Sequence, residues 1–492
     1  MVRRQRKQSL VPDAPDFSRA PPYCPLSESD VERILDGVYE LLRESGVYFE
    51  EEERSRQLFS EAGCTIDEKG IVKFPTDLVQ ACIESAAKSC KLWNRAGTDF
   101  IELKSGNTFF FAGITCIHVI DRKTGERRAS SREDLVEILR VADALPNING
   151  ITLPCKIVER SDMFGEMEEF SLMCRKSTKP LEYLCENEES LEAAIEMARA
   201  IRGGSQALEE KPYFIQGVTP LPMNFPVPHI NQIFRVVESG VPLGMGSFSI
   251  GGATTPITIA GSLVHAFAAD LAGLVLSQLI RKHSFCLIGT NINFMDPANG
   301  DIAGYPHTAL AELGQSQIAR HLGLPLGFTQ AGFGEGHFFN QEVASRATAT
   351  MMLAFYGRPT TCDMVGAIDG ALTYSLESLV LGNDLIETVR TLHEGIRVDE
   401  EALAIDISKE VGPLNDFLAQ EHTVKNCRQH LWNTQYYRAR PGSTEEQEAT
   451  EDLADWVRED LNRILAEHEP EALPQAVDDE IEAILTRFGA NP

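Results

Sequence analysis

The chain has 492 residues, 43% of them hydrophobic, which is enough to bury a large core and more than a plain single-barrel domain requires. Its formal net charge of −28, with acidic runs at 50–53, 186–189, 399–401, 445–452 and 476–482, argues against nucleic-acid or anionic-membrane partners. The eleven cysteines are odd in number and contain no Cys-x-x-Cys pair, the pattern of reduced thiols in a cytoplasmic protein.

Residues 1–26 carry Arg3, Arg4, Arg6 and Lys7 and then five prolines, too little apolar surface to fold alone; they read as a flexible arm. No apolar stretch follows the basic residues, so no secretory signal is expected. From Ser29 an amphipathic helix runs through Val31, Ile34, Leu35, Val38, Leu41 and Leu42 to a stop near Gly46, and residues 27–106 read as an N-terminal helical cap.

From 107 to 395 a short β-rich run followed by a helical stretch recurs about every 30 to 45 residues. The eight runs are Asn107–Ile114, Ile148–Leu153, Pro180–Cys185, Pro212–Val218, Val241–Ser247, Phe285–Asn291, Leu324–Gln330 and Thr360–Ala367. Each is too continuously apolar to face water on one side. Strands buried on both faces and alternating with helices predict an α/β fold with a parallel sheet, and eight of them predict a closed (β/α)8 TIM barrel. Ser131, three residues before Asp134, predicts a capped helix start ahead of Leu135, Ile138 and Leu139.

Gly251 to Ile280 is a small-residue turn opening a long, nearly apolar helix, in which His265, Asp270 and Gln278 favour burial between protein layers over a membrane span. His265 and Asp270 read as a structural pair, and Thr254 and Thr255 as helix caps. Residues 396–492 predict a C-terminal helical extension, with one stripe through Leu453, Trp456, Val457, Leu461, Ile464 and Leu465 and a last one through Ile481, Ile484, Leu485 and Phe488. Such flanks cover the barrel or a partner subunit, so a homo-oligomer is expected.

The chain has no Walker loop, no His-Glu-x-x-His and no Gly-x-Ser-x-Gly. Gly332, Gly334 and Gly336 follow the seventh run rather than the first, which argues against a dinucleotide fingerprint. Histidines and cysteines do not cluster at zinc spacing, His118 lying two after Cys116 reads as packing, and no metal is expected. Glycines, aromatics and a few polar groups instead gather just past the carboxyl ends of the predicted strands, where barrel enzymes hold their chemistry. A pocket of ring faces with few charges suits an apolar cation such as a quaternary ammonium, worth about 0.5 to 2 kcal/mol per ring.

The candidate substrate-binding residues are Phe111, Tyr305, Phe333 and Phe338 around such a head group, with Asn291, Gln330 and Tyr374 as orienting groups. For each phenylalanine, ordinary core filling is the competing account, and for the tyrosines, packing. The candidate catalytic residues are His337 and Glu335. His337 reads either as a donor to a substrate carboxylate or as a loop-stabilising hydrogen bond, and Glu335 either as a counter-charge or as a surface carboxylate.

Four segments carry a resemblance. Gly252-Ala-Thr-Thr-Pro-Ile-Thr-Ile-Ala-Gly261 continuing into Asp270-Leu-Ala-Gly273, Val119-Ile-Asp-Arg-Lys-Thr-Gly-Glu-Arg-Arg128, Gln330-Ala-Gly332 and His422-Thr-Val-Lys-Asn426 are similar to the trimethylamine methyltransferase family. The similarity runs over most of the chain, from about 30 to 440. It implies a (β/α)8 barrel and transfer of a methyl group from a methylated amine to the cobalt of a corrinoid. That corrinoid is carried on a separate small protein, so no cofactor bound tightly by this chain is expected. Trimethylamine-specific members of the family carry pyrrolysine in the pocket; others have ordinary residues there and take quaternary amines such as glycine betaine. This chain has only standard residues, and Thr329-Gln-Ala-Gly-Phe-Gly-Glu-Gly-His337 departs from the Asp- and Ser-rich version of typical members. A quaternary ammonium already has a neutral leaving group, and Co(I) is itself a strong nucleophile, so the branch with ordinary residues needs no protein nucleophile or base. The resemblance therefore implies a quaternary amine substrate and a cognate corrinoid protein as partner. Transfer to tetrahydrofolate, or a non-catalytic quaternary-amine-binding role, are the alternatives.

Overall fold

In the computed structural model, which describes residues 21–298, 300, 302–430, 434, 436 and 452–490, each of the eight apolar runs contains one parallel strand. They are β1 (Phe109–Ala112), β2 (Gly150–Thr152), β3 (Leu181–Leu184), β4 (Phe214–Val218), β5 (Leu243–Met245), β6 (Cys286–Ile288), β7 (Thr329–Gln330) and β8 (Thr361–Val365). They hydrogen-bond in the order β6-β5-β4-β3-β2-β1-β8-β7. A parallel bridge between Ile288 and Leu326, with the Gly327 N–H donating to Ile288 O at 2.8 Å, joins the ends and closes the barrel. The edges that would otherwise expose unpaired backbone are thereby removed.

The helix after β5, Ile259–Ile280, is apolar on nearly every side because it is covered on nearly every side. The helices Glu28–Glu44, Glu53–Glu61, Thr76–Ser85, Val227–Ser239 and His307–His321 all pack on it. It is the one helix among the described residues long and apolar enough to cross a membrane by composition, and 72% of its apolar window is buried inside the protein. Its cap is Thr258, whose hydroxyl accepts from Gly261 N, rather than Thr254 or Thr255. Those two lie outside the helix, where Thr254 Oγ1 accepts from Ile250 N at 2.8 Å and Thr255 pairs with Ser262. Asp270 does not pair with His265. Its carboxyl accepts from Thr290 Oγ1 at 2.8 Å, and the buried His265 Nδ1 has no partner. The Ser131–Asp134 capping box forms as expected.

The 27–106 segment is more than a helical cap. Val47–Phe49, Thr65–Ile66 and Ile71–Lys73 form a small sheet that recruits Asn224–Phe225. A hairpin of Ser89–Trp93 and Phe100–Lys104 inserts Leu92, Ile101 and Leu103 under the barrel, against Phe109, Phe111, Ile215 and Leu287. Of the arm, residues 1–20 lie outside the described part, while Leu26 is held by two hydrogen bonds to the Gln317 side chain. At the other end Leu453–Glu467 packs on Leu376–Glu394 and Arg132–Ala144, and Gln475–Arg487 packs on Glu188–Arg202 and Met163–Lys176. Most of the 445–452 acidic run lies outside the described residues.

Candidate active site

Two walls raise the carboxyl end of the barrel. Beyond β5 and β6, Phe248–Gly251 and Asn291–Met295 pair in parallel, with Ile302–Ala303 added antiparallel. Beyond β1 and β8, His118–Ile120, Arg127–Ala129, Ala367–Ile368 and Thr373–Tyr374 form a four-stranded sheet. Both walls are chain the barrel itself does not need, and they enclose the mouth where strand ends converge.

On one side of the mouth three amides form a cluster. Asn291 Oδ1 accepts from Gln330 Nε2 at 2.5 Å and from Asn293 Nδ2 at 2.8 Å. The Gln330 backbone N–H donates to Glu312 Oε1 at 2.9 Å, and burial pushes this carboxyl up to about 8, favouring its neutral form. Beneath the first wall, burial likewise pushes Asp270 up to about 8.

Outside the amides a cleft is lined by Tyr305, Thr308, Gln330, Phe333, Glu335 and Arg346. Glu335 is paired with Arg346, whose guanidinium lies 4.5 Å above the Tyr305 ring. The cation–ring geometry expected of Tyr305 is therefore present, but the cation is the protein's own.

Two residues beyond Glu335 the loop after β7 meets the loop after β8. His337 Nδ1 bonds to Asp369 Oδ1, and the Asp369 backbone N–H donates to Gly336 O at 3.1 Å. Asp369 also accepts from Arg127 Nε at 2.9 Å and from Thr373 Oγ1 at 2.7 Å. Burial opposes its charge, but the bonds from Thr373 and His337 and the charge of Arg127 hold its carboxyl below the usual range. The His337 side chain is 74% exposed, so its ring faces solvent at the mouth while one nitrogen is anchored.

Three features differ from the expected site. Phe111 is fully buried in the lower barrel layer against the hairpin plug, because the strand alternation that points it inward also places it below the mouth. Tyr374 is 1% exposed, with its hydroxyl donating to Val365 O at 2.9 Å, and so holds the β8 end rather than a ligand. Glu335 is committed to Arg346. Asn291, Gln330, Phe333, His337 and Phe338 do lie at or beside the mouth, Phe338 being 49% exposed on the rim. Among the described residues no three His, Cys, Asp or Glu side chains gather as metal ligands.

The sequence reading passed over a carboxyl pair inside the barrel. Thr152 on β2 donates to Glu182 Oε2 on β3 at 3.0 Å and lies 3.5 Å from Asp363 Oδ1 on β8. Burial pushes Glu182 up to about 7, and burial together with the Glu182 charge pushes Asp363 well above the usual carboxylate range. The signal was a single acidic residue inside each of two apolar strands, Leu-Glu-Tyr-Leu and Thr-Cys-Asp-Met-Val.

The family model described as "Trimethylamine methyltransferase (MTTB)" matches residues 2–490. The chain belongs to the trimethylamine methyltransferase family. Trimethylamine methyltransferase MttB of Desulfitobacterium hafniense is 26% identical over 405 residues, covering 82% of this chain and 81% of that protein. The glycine betaine methyltransferase of Desulfitobacterium hafniense is 24% identical over 487 residues, covering 95% and 98%. Among solved structures, the Methanosarcina barkeri monomethylamine methyltransferase aligns over 91% of this chain and 96% of its own, at 13% identity and a TM-score of 0.45. In this family member the barrel is established by its own strand order and closure.

Proposed function

We propose that this methyltransferase moves a methyl group from a quaternary amine, glycine betaine or a related betaine, to the Co(I) of a corrinoid protein. The observation that carries the reading is the loop after β7. Its polar side chains are ordinary residues already held by protein partners, Glu335 by Arg346 and His337 by Asp369. Nothing in this loop is built to add to a neutral amine. A substrate whose nitrogen is already quaternary needs no such group, because it leaves as a neutral tertiary amine. The near full-length match to a glycine betaine methyltransferase supports the same branch.

The chain's own residues then have three tasks: to strip water from the cation, to orient one methyl outward, and to present the mouth to a partner. The corrinoid supplies the nucleophile when its carrier docks. The rim suits docking, since Ile117, Leu221, Phe248, Ile302, Phe338 and Leu372 are all 44 to 57% exposed and come from loops and walls around the same end of the barrel. Arg127 lies on the second wall with its Nε on Asp369 and, beside His337, offers a positive donor to a betaine carboxylate.

The test is formation of methylcobalamin from cob(I)alamin by the purified protein, followed by absorbance. Candidate substrates are glycine betaine, proline betaine, carnitine and trimethylamine. Turnover of a betaine with little or none of trimethylamine is expected. Rapid turnover of trimethylamine with no betaine active would overturn the reading.

A further inference from the structure

Glu182 and Asp363 are 0% and 1% exposed and no basic side chain acts on either. The groups that act on them are the Thr152 hydroxyl, the Phe328 backbone N–H and each other. Glu182 Oε1 and Asp363 Oδ2 receive no hydrogen from any other group. Thr361, two residues before Asp363 on the same inward face of β8, is also buried, and its hydroxyl has no partner. The remaining inward neighbours, Phe109 and Phe111 from β1, Ile215 from β4 and Leu287 from β6, do not titrate. Two buried carboxyls in a barrel core destabilise the fold unless a proton or a cation neutralises them, and a pair kept for structure alone is ordinarily matched by Arg or Lys.

The position of the pair connects it to the mouth. Asp363 is the register partner of Gln330 on β7, so the pair adjoins the amide cluster on the same inner surface. Phe328, whose N–H reaches Asp363, lays its ring against Gly217 on β4, Gly244 on β5 and Gly246 just past β5; a Cβ at Gly244 would come within 2.9 Å of that ring. Glycine at these places is what leaves room for an aromatic face inside the barrel.

We propose that Glu182 and Asp363 form the cation-holding end of the substrate site, where one negative charge shared between them pairs with the quaternary ammonium beside the Phe328 ring. The identity of the cation rests on the quaternary-amine reading above. A quaternary ammonium has no hydrogens to donate, so it needs acceptor oxygens and a ring face without strict direction, and both are here. Burial raises both carboxyls and the Glu182 charge raises Asp363 further, so the empty pair favours its protonated forms. An entering cation favours the form with one proton, so the other leaves to solvent as the cation arrives.

The test titrates tetramethylammonium chloride into the corrinoid-free protein at pH 7, by calorimetry in phosphate and in Tris. The two buffers differ in ionisation heat and so report proton release. Wild type is expected to bind saturably and to release protons on binding. Glu182→Gln, which keeps shape and removes charge, is expected to weaken binding by about tenfold or more and to abolish the release, while the melting temperature stays level or rises. Asp363→Asn serves as the second variant. No binding by wild type, binding without proton release, unchanged affinity in both variants, or equal competition by sodium chloride would each overturn the proposal. Glycine betaine turnover by wild type is measured separately. Pair-dependent binding without turnover defeats the functional reading alone, and turnover with pair-independent binding defeats this inference alone.

Discussion

At the amino ends of the barrel strands, Phe109, Phe111, Ile215 and Leu287 close on Leu92, Ile101 and Leu103 of the hairpin beneath them. Nearer the mouth, the other strands β2, β3, β8 and β7 present Thr152, Glu182, Asp363 and Gln330, and Glu182 and Asp363 each have a buried oxygen that lacks a donor. The two sets lie on different strands of one closed backbone ladder, so the difference is in side chains. It teaches that the lower layer supplies the apolar burial from which the upper layer can hold unmatched polar groups in place.

That division is broken most severely by Phe111→Ala. A cavity in the sealed lower layer should lower unfolding free energy by about 3 to 5 kcal/mol in denaturant titrations, with kcat/KM of the remaining folded enzyme little changed. Loss of activity without loss of stability would return Phe111 to the substrate site.

The upper half should reveal itself through pH. Asp270 and Glu312, each raised by burial to about 8, keep a proton in the folded chain where the unfolded chain has lost it. The unfolded state then binds fewer protons, so this stability is full below about pH 4 and is lost as pH rises toward about 8, at about 1.4 kcal/mol per pH unit for each group. Asp270→Asn should remove one such slope from the pH dependence of chemical unfolding, and an unchanged slope would show that Asp270 is ionised in the fold.

Tyr374→Phe sharpens the boundary between wall and site. It should reduce stability by about 1 kcal/mol, through loss of the bond to Val365 O, and leave turnover constants alone. The smallest expected change is at the rim: Phe338→Ala should raise the KM for the corrinoid protein by about threefold to tenfold, with the KM for the betaine unaltered. The reverse pattern would place Phe338 on the substrate rather than on the partner.

The barrel was legible because strands buried on both faces leave a local mark, a continuous apolar run, and each of the eight runs holds one strand. The Ser131 capping box was legible for the same reason, its four residues being adjacent in the chain. The plugging hairpin was not, because Ser89–Trp93 and Phe100–Lys104 alternate as any two-stranded piece does, and nothing local says which surface their apolar side meets. Phe111 and Phe338 are chemically the same letter near strand ends, yet one lies beneath the mouth and the other on its rim.

By itself, then, the sequence determined the number, order and burial of the barrel strands, the family, and the end of the barrel where chemistry gathers, since all of these follow from patterns within a few residues. Only the tertiary structure decided which groups meet. Glu182 and Asp363 stand 181 positions apart and share Thr152 because β3, β2 and β8 come together on one inner surface when the ring closes. Arg127, His337 and Asp369 meet because the second wall and the loops after β7 and β8 converge over the same strand ends. Contacts of this kind depend on register and closure, which are properties of the whole sheet and leave no trace in any one stretch of chain.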